Sequence, residues 1–120
     1  MRINQITLRV KNLDASKAFY QGYFGMQVTK EICHDELKIA FLTDGNAMQI
    51  ELMELAEAPD CGLYNKQFKL GITVENFDEL LNKCQEAQIV TNGPLTIRNI
   101  LECFIVRDPD CLSIQIFRKN

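Results

Sequence analysis

Two stretches decide the reading: "QITLRVKNLD" (residues 5–14) and "KLGITVENFD" (69–78). Both carry Val, one residue, Asn, a large apolar residue, then Asp. An offset of 64 residues carries Val10 onto Val74, Asn12 onto Asn76 and Asp14 onto Asp78. The same offset carries "FLTDG" (41–45) onto "IVRDP" (105–109), and "MQIEL" (48–52) onto "LSIQI" (112–116). One offset without gaps thus aligns the start and the end of both halves, which is the signature of a duplicated module. Module 1 is expected over 1–54, a linker over 55–66 and module 2 over 67–120. The linker "LAEAPDCGLYNK" carries Pro59 and Gly62, both breakers of regular structure.

Within module 1, Ile6, Leu8 and Val10 alternate with Gln5, Thr7 and Arg9, predicting a strand over 2–10. A helix is predicted over 13–24, with Asn12 as its N-cap and Gly25 as its left-handed terminator. Leu13, Ser16, Phe19, Tyr20 and Phe24 form its inward stripe. Strands near 26–33, 37–43 and 46–54 follow, with turns at 34–36 and 44–45. Module 2 repeats the order: strand 67–75, helix 77–87, then strands near 89–97, 100–107 and 111–118. Asn76 followed by Glu79 reads as a capping box. Each half is therefore β-α-β-β-β and is too small to stand alone. The fold class is α+β. The two tandem modules are expected to build one curved mixed sheet, with helices on its outer face and a concave groove on the other.

Composition narrows the function. The 120 residues suit a single domain, 47% of them are apolar, and the net charge is −3 with scattered basic residues. No basic stripe for nucleic acid and no membrane-length apolar run is present. The N-terminus alternates like a strand and lacks a signal-peptide core. A cytoplasmic protein is expected. Five cysteines without a CxxC pair suit a reducing compartment better than a disulfide framework. With one histidine, His34, a two-histidine metal triad cannot be built from one chain.

Strand alternation puts Gln5, Thr7 and Arg9, Lys69, Gly71 and Thr73, Gln49, Glu51 and Met53, and Ser113, Gln115 and Phe117 on the face away from the helices. Periodicity leaves two readings open: a solvated sheet face or a ligand-lining groove.

The stretches "ITLRVKNLDASKAFYQGYFGMQV" (6–28), "MQIELME" (48–54) and "FIVRDPDCLSIQIF" (104–117), on top of the repeat, resemble the vicinal oxygen chelate superfamily of glyoxalase I, bleomycin-resistance and extradiol-dioxygenase proteins. The resemblance spans the chain, and its first segment is nearest glyoxalase I. It implies one metal-ligand position on the opening and closing strand of each module: Gln5, Glu51, Lys69 and Gln115. Gln5 and Glu51 match that pattern. Lys69 stands where His or Glu is expected, and Gln115 replaces a Glu that serves as ligand and base. Lysine is cationic and has no acceptor, and an amide does not titrate in a useful range. No cofactor is therefore expected and a divalent metal is disfavoured, with Gln5, Glu51 and Gln115 as ligands only if one is found. Lys69 is expected in the metal's place, paired with Glu51. Arg9 matches a carboxylate contact of glyoxalase I-like sequences.

The expected function is metal-independent binding of a small organic molecule by Gln5, Arg9, Glu51, Lys69, Gln115, Met53 and Phe117. The alternatives are a glyoxalase-type lyase or isomerase, with Glu51 and Lys69 as catalytic pair, and a dimeric interaction module. A homodimer is expected from the resemblance, with modules pairing within or between chains. Phe68 and Tyr64 are further lining candidates. Cys111 stands where relatives have Gly and reads as inert more readily than reactive. Cys33, Cys84 and Cys103 read as packing.

Overall fold

The computed structural model describes residues 1–55 and 68–120. It divides into two compact units, Met1–Asp60 and Cys61–Asn120. The boundary falls inside the expected linker, which apart from Leu55 lies outside the described residues, as do Cys61 and Tyr64.

The first unit runs β1 (Gln5–Val10), α1 (Leu13–Phe24), β2 (Gln27–His34), β3 (Leu37–Thr43) and β4 (Gln49–Glu54). The second runs β5 (Lys69–Val74), α2 (Phe77–Glu86), β6 (Val90–Ile97), β7 (Leu101–Arg107) and β8 (Ser113–Arg118). The β-α-β-β-β order holds in both. The sheet expected across both modules is present as two four-stranded mixed sheets, ordered β1-β4-β3-β2 and β5-β8-β7-β6. In each, the opening strand runs parallel to the closing strand, and the other pairs are antiparallel.

The helix-facing sides form the cores. Leu8, Val10, Ile50 and Leu52 are buried with Phe19 and Tyr20 of α1; Leu70, Ile114 and Ile116 are buried with Phe77, Leu80 and Cys84 of α2. Burial pushes the Cys84 thiol up to about 11. None of the buried side-chain nitrogen or oxygen atoms of the described residues lacks a hydrogen-bond partner. No helix among the described residues is long and apolar enough to cross a membrane.

Strand registers test the repeat residue by residue. Gln5 faces Gln49 and Lys69 faces Ser113; Ile39 faces Met53 and Cys103 faces Phe117. The 64-residue offset therefore holds for the opening, third and closing strands, but not for the second. Val28 faces Leu42 while Val90 faces Val106, an offset of 62. His34 faces Leu37 while Ile97 faces Leu101, an offset of 63. The repeat is not gap-free throughout. Helix α2 has 10 residues against 12 in α1. One residue returns at the bulge between Asn92 and Leu95, and one in the turn between β6 and β7. That bulge needs Gly93: φ is +94°, and a Cβ there would lie 3.0 Å from the Cys103 carbonyl oxygen. The threonines on either side of these gaps keep their role. Thr29 and Thr91 each donate to a β3 or β7 carbonyl, of Phe41 and Ile105, at 3.3 Å.

Two local expectations need correction. Asn12 caps α1, accepting from the Ala15 amide at 2.9 Å, but Asn76 makes no side-chain cap bond. At Asn12 the backbone is extended, whereas at Asn76 φ is −95° and ψ 46°, so the side chain is not aimed at the first turn. The closing strands also start late, at Gln49 and Ser113 rather than near 46 and 111. The residues before them are held in side-chain-capped turns. Asp44 accepts from the Asn46 amide at 2.7 Å, and buried Asp108 accepts from the Asp110 and Leu112 amides at 2.8 and 2.9 Å.

Candidate functional site

The parallel β1–β4 register puts Thr7 beside Glu51, Gln5 beside Gln49 and Arg9 beside Met53, all on the face away from α1. Alternation is the cause: Leu8 and Val10 are turned into the core, so their neighbours face out. Glu51 is half-buried there. Its Oε1 accepts a hydrogen bond of 2.6 Å from the Thr7 hydroxyl, the short length of a charge-assisted bond. The Gln5 amide nitrogen lies 3.5 Å from the same oxygen and 3.4 Å from the Thr7 hydroxyl oxygen. The Gln5 carbonyl oxygen accepts from the Gln49 amide at 2.7 Å. A carboxylate is thus held in one orientation by a chain of neutral groups. Beside this network a cavity of about 340 Å³ opens between Asn4, Gln5, Thr43, Asn46, Met48 and Gln49.

The corresponding positions of the second unit differ. Gly71 stands opposite Gln115, so Gln115 has no hydroxyl neighbour like Thr7. Its amide instead donates to the buried Cys103 Sγ at 3.3 Å. Phe117 is half-buried between Thr73 and Cys103 on the same face. Lys69 is exposed at the head of β5, opposite Ser113. Of the four positions that the resemblance singled out, Gln5 and Glu51 come together in the first unit. Lys69 and Gln115 lie two residues apart in register on the second. Phe68 is exposed.

The sequence reading placed Thr7 and Gln49 on this face without assigning them to the site. The signal was available: if the closing strand runs parallel to the opening one, Thr7 must flank Glu51. The cysteines divide. Cys33 is free and exposed, Cys84 and Cys103 are free and buried, and Cys111 is disulfide-bonded. Cys111, read from the sequence as inert more readily than reactive, is thus held in a disulfide. At Cys111 φ is +69°, a conformation that favours glycine.

The family model of the Glyoxalase/Bleomycin resistance protein/Dioxygenase superfamily matches residues 2–116. The chain belongs to this superfamily. Among curated proteins, a lactoylglutathione lyase of Neisseria meningitidis serogroup A is 26% identical over all of this chain and 92% of its own length. Among solved structures, glyoxalase I of Leishmania major superposes with a TM-score of 0.76 at 22% identity, over 98% of this chain and 86% of that one. A glyoxalase I variant of Zea mays gives 0.82 at 19% identity; this chain spans 45% of that longer protein. A fosfomycin resistance protein of Listeria monocytogenes gives 0.79 at 16%, covering 97% of this chain and 91% of that one. These likenesses establish the glyoxalase fold.

The donor groups fit a divalent ion poorly. Glu51 is the one carboxylate of the four positions, and its Oε1 already accepts from Thr7. Gln5 spends its carbonyl on Gln49. Lys69 brings a positive charge without an acceptor, and Gln115 directs its amide to sulfur. Among the described residues no three His, Cys, Asp or Glu side chains converge.

Proposed function

We propose that this glyoxalase-fold chain binds a small organic molecule on the polar sheet faces through its own side chains, without a metal. The observation that carries this reading is the Thr7–Glu51 hydrogen bond of 2.6 Å on an outward face. A half-buried carboxylate fixed by a neutral donor keeps its remaining lone pairs for a ligand donor. The adjoining cavity of about 340 Å³ is large enough for a small molecule and is lined by the amides of Asn4, Gln5, Asn46 and Gln49, the Thr43 hydroxyl, and Ala47 and Met48. In this reading Gln5, Arg9, Glu51 and Met53 are the candidate contacts on the first unit, and Lys69, Gln115 and Phe117 are those on the second.

A thermal-shift screen with organic acids, thiol conjugates and cationic drugs, run in excess chelator, tests it. Hits are expected to raise Tm with chelator present and to lose that shift in Glu51→Gln. An empty screen, or shifts that appear only with added metal, would sink the proposal.

A second reading is a lyase or isomerase of the glyoxalase type, favoured by the 26% identity to lactoylglutathione lyase over the full chain. Against it, the Gln115 amide cannot take a proton at neutral pH. Turnover of the hemithioacetal of methylglyoxal and glutathione after addition of nickel, zinc, cobalt or manganese, lost in Glu51→Gln, would favour this reading over the first.

A further inference from the structure

The duplication supplies an internal control for each row of side chains. In the first unit one row across the outward face reads Gln5, Gln49, Thr43, on β1, β4 and β3. It is uncharged and largely closed on itself. Gln49 donates to Gln5 at 2.7 Å, and the Thr43 hydroxyl accepts from the Gly45 amide at 3.1 Å. In the second unit the same registers bring together Lys69, Ser113 and Arg107, on β5, β8 and β7. Directly paired residues present their side chains on one face, so an ammonium and a guanidinium flank a hydroxyl. Lys69 and Arg107 are exposed, and Ser113 is half-buried between them. Among the described residues none of the three side chains has a hydrogen-bond or ion-pair partner. Elsewhere in this unit Arg118 and Lys119 are both paired with carboxylates.

We infer that the Lys69–Ser113–Arg107 row is a binding site for an oxyanion, the phosphate or carboxylate group of a small molecule. The backbones that carry the two cations lie roughly 10 Å apart, two strand spacings, with β8 between them. Among the described residues no carboxylate pairs with either cation, and an anion seated over Ser113 would do so. The row is rich in donors: three N–H from the ammonium, five from the guanidinium and one O–H from the hydroxyl. Only a ligand rich in acceptors and negative charge satisfies it, and the guanidinium fork suits two oxygens of one anion. The inference shares Lys69 with the proposed small-molecule reading but does not need Glu51, and the row lies on the second unit alone.

Titration calorimetry at low ionic strength, with inorganic phosphate and with acetate as probes, tests it and separates the two anion classes. Saturable binding of at least one probe is expected. Lys69→Gln with Arg107→Thr installs the uncharged row of the first unit. It should weaken that binding by about tenfold or more, since each charge-assisted hydrogen bond is worth about 1.5–3 kcal/mol. A charge-matched control, Arg2→Gln with Arg98→Gln, should leave affinity unchanged. The inference is overturned if neither probe saturates or if both double variants lose affinity equally. It is also overturned if affinity survives loss of the row.

Discussion

Asn12 and Asn76 are equivalent in the repeat yet unequal in effect. Asn12 satisfies one of the free amides that open every helix, while Asn76 does not. Asn12→Ala should lower stability by about 1 kcal/mol in urea unfolding, and Asn76→Ala by no more than about 0.5 kcal/mol. Equal losses at the two positions would refute this assignment. The asymmetry was not legible in the sequence, because both sites show Asn ahead of an acidic first turn and backbone angles decide between them. Gly25 was legible: it takes φ +66° and donates its amide to the Gln21 carbonyl, ending α1 as expected. Thr7 was half legible. Its face followed from alternation, and its bond to Glu51 required the parallel register.

At the scale of elements, the two modules solve one problem with opposite charges. On β4, Glu54 accepts from the Leu13 amide at 2.8 Å, holding the start of α1, and lies 3.5 Å from Lys38. At the equivalent place on β8 stands Arg118, paired with Glu102 at 2.9 Å and with Asp78 of α2 at 2.7 Å. Its guanidinium also lies 4.4 Å from the Phe77 ring centroid. The 64-residue offset already aligned Glu54 with Arg118 and Lys38 with Glu102. The swap was therefore visible in the sequence, but its meaning depended on knowing that β3 and β7 pair beside the closing strands.

The Arg118 guanidinium holds the Asp78 carboxyl below its ordinary range through their hydrogen bonds. A carboxyl lowered in the folded state stabilises the fold above its unfolded value, and that contribution is lost as pH falls through the folded one. Unfolding midpoints measured from neutral pH to below about pH 4, the ordinary range of aspartate, should thus fall more steeply for wild type than for Arg118→Gln. Arg118→Glu alone should destabilise the second unit. Adding Glu102→Lys, which installs the Glu–Lys pair of the first unit, should recover part of the loss. Parallel acid limbs for wild type and Arg118→Gln would contradict the pairing.

At the scale of the molecule, the architecture was legible because a repeat of known spacing reports on itself twice. Two β-α-β-β-β units follow from the matching motifs, and the family match over residues 2–116 agrees with them. The second strand was the weak point. A shorter helix, a glycine bulge and a longer turn shift its register and then restore it, and such compensating changes leave no trace at the ends of the modules. The sequence offers four candidate positions, and a chemistry that departs from a metal-binding pattern at Lys69 and Gln115. The hydrogen bonds that orient Glu51, and the cationic row on the second unit, depend on strand pairing and emerged only from the structure.

The central claim is that these side chains act without a bound metal. Elemental analysis tests it most directly, on the chain purified without added metal and again after dialysis against equimolar zinc or nickel followed by gel filtration. The account predicts far less than one equivalent per chain in both samples. One equivalent of nickel, zinc or iron retained per chain would contradict it.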